Sequence, residues 1–192
     1  MKKTIIAVFI TLFISCSSTK VEKEIINDFI KNQFINDKYS NILVEEALPR
    51  TMALQYYENA YNQRNLYDGV KSFMPNGAPP YSWEIDSVEI ATLKQKYKND
   101  KLSYKWKKSD FINHNFKIFP YETLRKRGSS ELGGYGFYMS QPLITLDQKH
   151  AFLFYRSFAI EIGFSTEKAI LLKKVNGIWV ESYHYNNVSE IN

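Results

Sequence analysis

The sequence predicts an α+β domain in which N-terminal helices pack on a C-terminal antiparallel β-meander, and three observations predict it. Between residues 21 and 98, apolar side chains recur at spacings of three and four, the period of amphipathic helices. From Phe137 onward, apolar or alternating runs are separated by short polar turns, the pattern of strands. Asn176-Gly177, set between Val175 and Ile178, supplies two residues that tolerate the positive φ of a type I′ hairpin turn.

The chain opens differently. Lys2 and Lys3 precede an apolar run from Ile5 to Ile14, which leads through Ser15 to Cys16, the one cysteine in 192 residues. A positive start with a short apolar core reads as a secretory signal peptide, because the run is about half of the roughly 20 residues needed to span a bilayer. There is no twin arginine, so the general secretory route is implied.

Phe13-Ile14-Ser15-Cys16 resembles the lipobox of bacterial lipoproteins, in which a small residue precedes a cysteine that is diacylated and becomes the new N-terminus. The resemblance implies three parts: residues 1–15 as signal peptide, 16–20 as lipidated tether and 21–192 as a single α+β domain. Two or three acyl chains, at about 0.8 kcal/mol per buried methylene, hold a protein on a bilayer essentially permanently. Ser17, uncharged after Cys16, is similar to that family's outer-membrane sorting pattern. The alternative is an ordinary cleavable signal using Ser15 and Ser17, which would release a secreted protein.

Loss of residues 1–15 leaves 177, enough for one domain with a substantial core. Without Lys2 and Lys3 the mature chain sets 23 basic residues against 20 acidic ones, too small an excess to mark a nucleic-acid binder. With no cysteine beyond Cys16 the fold has no internal disulfide, no thiolate metal site and no cysteine nucleophile.

Residues Val21 to Asn36 place Val21, Ile25, Ile26, Phe29, Ile30 and Phe34 on one helical face. Ile42 to Val44 reads as a short strand closed by Pro49. A second helix is expected from Thr51 to about Asn65, with Tyr56, Tyr57 and Tyr61 on a stripe that reads first as core and second as a ligand surface. Tyr67 to Ser82 carries Gly69, Pro75, Asn76, Gly77, Pro79 and Pro80 and reads as a long loop. Asp86, with Glu89 three positions on, begins a third helix running to Lys98. Leu102, Tyr104 and Trp106 then alternate with polar residues as a half-buried strand.

Lys94 to Lys108 interleaves lysines with Tyr97, Tyr104 and Trp106, a composition that invites a nucleic-acid reading. Alternation sends the aromatics inward and the lysines outward, so a solvated basic face is expected instead. Phe116, Ile118 and Phe119 suggest another strand before Pro120, and Arg125 to Gly136 reads as a polar, glycine-rich loop. Gly133-Gly134-Tyr135-Gly136 lacks the Lys and Ser/Thr of a phosphate loop. Four strands follow: Pro142 to Leu146, His150 to Ile160, Ala169 to Val175 and Ile178 to Tyr185. Ser140 and Pro142, the run Ala151 to Tyr155, and Lys174 to Trp179 resemble the tail of small envelope lipoproteins of bacteria, a resemblance that brings no activity with it.

Chemistry is sparse. His114, His150 and His184 share no ligand spacing, so no metal or cofactor is expected. Asp147 and His150 bracket a turn, and Glu161 sits between Ile160 and Ile162, where water is its expected neighbour. No strained serine turn is present, so no catalytic residue is assigned.

The expectation is a lipid-anchored cell-envelope protein, held to the outer membrane through Cys16, whose domain binds a partner protein, a glycan or a small molecule and no nucleic acid. A cell-envelope hydrolase using Asp or Glu on the sheet is the alternative. A structural or immunity-type protein, docking another chain by a sheet edge or loop, is a third.

Overall fold

Ala151-Phe152-Leu153-Phe154-Tyr155 is apolar at successive positions, so neighbouring side chains on opposite faces of one strand all need cover. The computed structural model supplies it on both sides. It describes residues 20–32, 42–100, 104–112, 114, 116–127, 135–159 and 165–187. The leader, Cys16, Leu102, Gly133, Gly134 and Glu161 lie outside these described residues.

Helix α1 is described over 20–32. The named elements that follow are β1 (Ile42–Val44), α2 (Thr51–Asn62), β2 (Phe73–Pro75), α3 (Ser87–Lys96), β3 (Lys117–Phe119), α4 (Tyr121–Arg127), β4 (Tyr135–Met139), β5 (Leu143–Ile144), β6 (His150–Ala159), β7 (Ser165–Val175) and β8 (Ile178–Asn187). The class is α+β. One eight-stranded sheet runs β2-β8-β7-β6-β4-β1-β3, with β5 on β6 beyond the end of β4.

Strands β6, β7 and β8 form consecutive antiparallel pairs, but β1 lies parallel to both β3 and β4, so the sheet is mixed. Its edge strands β2 and β3, and β1 next to β3, come from the first two thirds of the chain. Asn176 and Gly177 take φ of 52° and 84°, the type I′ geometry expected between β7 and β8.

On one face Ile25, Ile26, Phe29 and Ile30 of α1 pack with Trp106 and Phe111 over Leu153, Ile170, Leu172 and Trp179. On the other, Leu54 and Tyr57 of α2 and Ile90 and Leu93 of α3 cover Phe152, Phe154, Leu171 and Tyr185. Leu124 of α4 covers Ile42 and Val44 farther along that face. No helix among the described residues is long and apolar enough to cross a membrane.

Three expectations change. The stretch read as a loop from Tyr67 to Ser82 contains β2, which pairs with β8 despite its proline because Pro75 closes the strand at the sheet edge. Trp106 is buried and Lys105 exposed, as alternation requires, but among the described residues of this stretch the pairing is an isolated bridge from Lys105 to Glu46. Tyr121–Arg127 is helical where part of the segment reads as loop, because Pro120 opens a helix turn and Leu124 finds cover on β1.

Candidate functional site

Helix α2 has two working faces. Ala53, Leu54, Tyr57 and Ala60 turn into the core, while Thr51, Gln55, Glu58 and Asn59 recur at helical spacing on the flank toward α3. Lys94, Tyr97 and Lys98, with Asp100 just beyond, come from the last turn of α3 and its exit. Between these two sets lies a cleft of about 460 Å³.

Asp86 caps α3 by accepting from the Glu89 backbone N–H at 2.8 Å. Glu89 does not return the bond to Asp86. Its carboxylate accepts from Leu146 N–H at 3.1 Å, which ties the start of α3 to the turn after β5.

Arg50 stands behind the lining, against Asp100 and Tyr97. Its Nη1 donates to Glu22 Oε1 at 3.0 Å and to the Pro142 carbonyl at 3.1 Å, and its Nη2 donates to Gln141 Oε1 at 2.6 Å. Its Nε lies 2.5 Å from Asp100 Oδ2, and its guanidinium stands 5.5 Å from the centre of the Tyr97 ring. With a side chain only 12% exposed, Arg50 joins α1, the start of α2, the exit of α3 and the approach to β5. The fork of donors makes this possible, since one planar group satisfies four acceptors in fixed directions.

The lining carries two acids and two lysines. Lys94 Nζ donates to both Glu58 oxygens at 2.9 Å, Asp100 is held by Arg50, and Lys98 stands exposed. Tyr97 is a wall rather than a stacking platform, because Arg50 and Lys96, the latter 5.0 Å from the ring centre, hold the ring as cation–π partners. Gln55 and Asn59 contribute amide donors and acceptors. The arrangement can hydrogen-bond a polar molecule without demanding net charge from it. No protein-family model, curated protein or solved structure matches this chain.

The tyrosine stripe is packed shut. Tyr57 is fully buried, with rings of Phe152 and Tyr185 at 5.2 and 5.1 Å, and Tyr56 meets Phe73 and Phe154 edge-on. Burial drives the Tyr57 and Tyr185 hydroxyls far above the ordinary phenol range, and the Ile85 backbone bond offsets only part of this at Tyr57. These residues build core, and the ligand-surface reading of the stripe is set aside.

The histidines stand apart. His150 Nε2 is 2.7 Å from Glu84, His184 Nδ1 is 2.6 Å from Glu181, and His114 stacks on Phe116 at 5.4 Å. Partial burial lowers the His114 pKa. For Asp147, burial raises the carboxyl, but the Lys149 N–H, the Thr145 hydroxyl and nearby His150 outweigh it and leave the pKa lowered. Asp147 is thus part of the turn's bonding. Of the Lys94–Lys108 stretch, Trp106 points inward and donates its indole N–H to the Met139 carbonyl at 3.1 Å, while Lys105, Lys107 and Lys108 are exposed.

Sequence reasoning passed over Arg50, Gln55, Asn59 and Asp100. A polar stripe opposite the tyrosines was visible, but every surface helix has one. Only the approach of α3 turns it into the side of a cleft.

Proposed function

We propose that this chain is a cell-envelope lipoprotein, anchored through Cys16, whose domain is a non-catalytic binding module with its ligand site in the α2–α3 cleft. The observation that carries the binding part is the charge-balanced wall of Gln55, Glu58, Asn59 and Lys94 facing a space large enough for a small polar molecule. The Gln55 and Asn59 amides and the Glu58 carboxylate on α2, facing Lys94 on α3, offer donors and acceptors suited to hydroxyl groups, so a neutral, hydroxyl-rich glycan fragment is the ligand class. The anchoring part rests on the leader and on Phe13-Ile14-Ser15-Cys16.

A binding role is favoured over hydrolysis by the placement of the described sheet carboxylates. Glu167 pairs across from Arg156 on the α2 face, whereas Glu181 pairs across from Leu172 on the α1 face. A sheet between them prevents the two from flanking one bond.

Titrating the full-length protein with envelope glycan fragments, followed by amide chemical shifts, tests this reading. Shifts should concentrate on Gln55, Asn59 and Lys94, and the Gln55→Ala/Asn59→Ala variant should bind at least tenfold more weakly. Shifts confined elsewhere, or unchanged affinity in a folded variant, would overturn the site.

A further inference from the structure

We propose that the end of the molecule where α1 begins is a membrane-facing surface, on which Lys20, Lys98, Lys107 and Lys108 meet the anionic phosphates of lipid headgroups. The inference rests on the reading that Cys16 carries the lipid, and adds to it an orientation and a second contact.

Cys16 precedes Lys20, the first described residue of α1, by four positions. Four residues of chain reach at most about 14 Å, whatever path they take. A lipid on Cys16 therefore keeps the first turn of α1 beside the bilayer.

Two lysine groups flank that turn. Glu22 accepts from Arg50, which also holds Asp100, and this places Lys98 on one side. Lys23 Nζ donates to the Ser109 carbonyl at 3.3 Å and lies 3.5 Å from Asp110, which places Lys107 and Lys108 on the other. Lys20, Lys98, Lys107 and Lys108 are all exposed, and none has a carboxylate partner among the described residues.

Most acids at this end are matched to a cation, Glu46 beside Lys105 accepting from the Tyr121 N–H instead. Glu22 and Asp100 belong to Arg50, Asp110 to Lys23, Glu58 to Lys94 and Glu45 to Lys105. The charge left over is positive, and it surrounds the point where the chain would enter the membrane. Each lysine held near an anionic bilayer strengthens association about fivefold. Because Lys98 and Asp100 also line the α2–α3 cleft, a ligand entering it would be met at the headgroup level.

The far side supplies an internal reference. Arg50 reaches the carbonyl just before β5, and β2 lies four inter-strand steps from β5, about 19 Å away, with Tyr67 74% exposed in the loop before it.

The experiment uses full-length lipidated protein carrying a fluorophore at Ser109→Cys or at Tyr67→Cys. It is reconstituted on phosphatidylcholine vesicles with or without phosphatidylglycerol, with a quencher on the headgroups. The Ser109 label should be quenched several-fold more than the Tyr67 label when phosphatidylglycerol is present. The Lys98→Glu/Lys107→Glu/Lys108→Glu variant should stay attached yet lose that difference. In a Cys16→Ser background, the same three changes should weaken binding to phosphatidylglycerol vesicles at least tenfold. Equal quenching at both labels in a Cys16-dependent tether, or no effect of the lysine changes, overturns the orientation alone. Flotation on neutral vesicles that is unaltered by Cys16→Ser overturns the anchor, and this surface with it.

Discussion

Tyr57 and Ile85 are bonded twice. The phenolic O–H donates to the Ile85 carbonyl at 2.9 Å, and the same oxygen accepts from the Ile85 N–H at 3.1 Å. Both residues are buried, so one side chain of α2 satisfies the backbone of the segment that leads into α3.

Removing that oxygen is the cleanest test of how the two helices are held. Tyr57→Phe keeps the ring among Phe152, Trp83 and Tyr185 but strands a buried N–H and a buried carbonyl. An unpaired buried group costs about 1–3 kcal/mol, so urea denaturation should show a loss of about 2–4 kcal/mol. An unchanged midpoint would mean that water replaces the hydroxyl.

Arg50→Leu should lower stability by about 2 kcal/mol, because Glu22 and Asp100 lose their partner at a mostly buried position. Arg50→Lys should recover less than half of this, since an ammonium cannot reach Glu22, Gln141, Pro142 and Asp100 together. Full recovery by lysine would show that charge alone matters. The same variants should weaken glycan binding, as Asp100 and Tyr97 of the cleft lining lose the group that holds them.

Gly136 lies opposite Phe158, and a Cβ there would sit 2.6 Å from Phe158 Cζ. Gly136→Ala should therefore cost about 1–3 kcal/mol as an overpacking change, and Phe158→Ala in the same chain should remove most of that penalty. Additive losses in the double variant would place the strain elsewhere. Gly177→Ala meets no atom within 4 Å, so its cost should come from φ of +84° alone and should not respond to Phe158→Ala.

Among the described residues, four phenols titrate late. Burial raises Tyr57 and Tyr185, burial followed by the Asp110 hydrogen bond raises Tyr104, and burial with nearby Tyr121 pushes Tyr138 up to about 12. The unfolded chain releases these protons near pH 10 while the folded one keeps them. The native state therefore binds more protons above that point, and stability is retained below about pH 10 and falls as pH rises toward 12. Ultraviolet phenolate titration should show a fraction of the tyrosines ionising only together with unfolding. A single transition near pH 10 in the folded protein would contradict the buried placement.

Much of the fold was legible from short stretches. The Asn176-Gly177 turn, the Asp86 cap and the face of α1 that carries Ile25, Ile26, Phe29 and Ile30 follow from φ preference, a hydrogen bond three residues away and helical spacing. Of the three-residue strands, β1 and β3 were legible as apolar runs ahead of Pro49 and Pro120, whereas β2 was not. A run that short carries almost no periodicity, and β2 is recognisable only because β8 offers it a partner.

The sequence by itself determined a helical first half, a hairpin-rich second half, a core of aromatic and aliphatic side chains, and the lone cysteine at the end of an apolar N-terminal run. Each of these depends on neighbours within a few residues. Tertiary structure decided that β1 enters the sheet parallel, that helices cover both of its faces, and that Arg50 gathers Glu22, Asp100 and Gln141 behind the lining of a cleft. Those groups are scattered along the chain, and no local preference encodes their meeting. It follows from how two apolar faces of one sheet must each be buried.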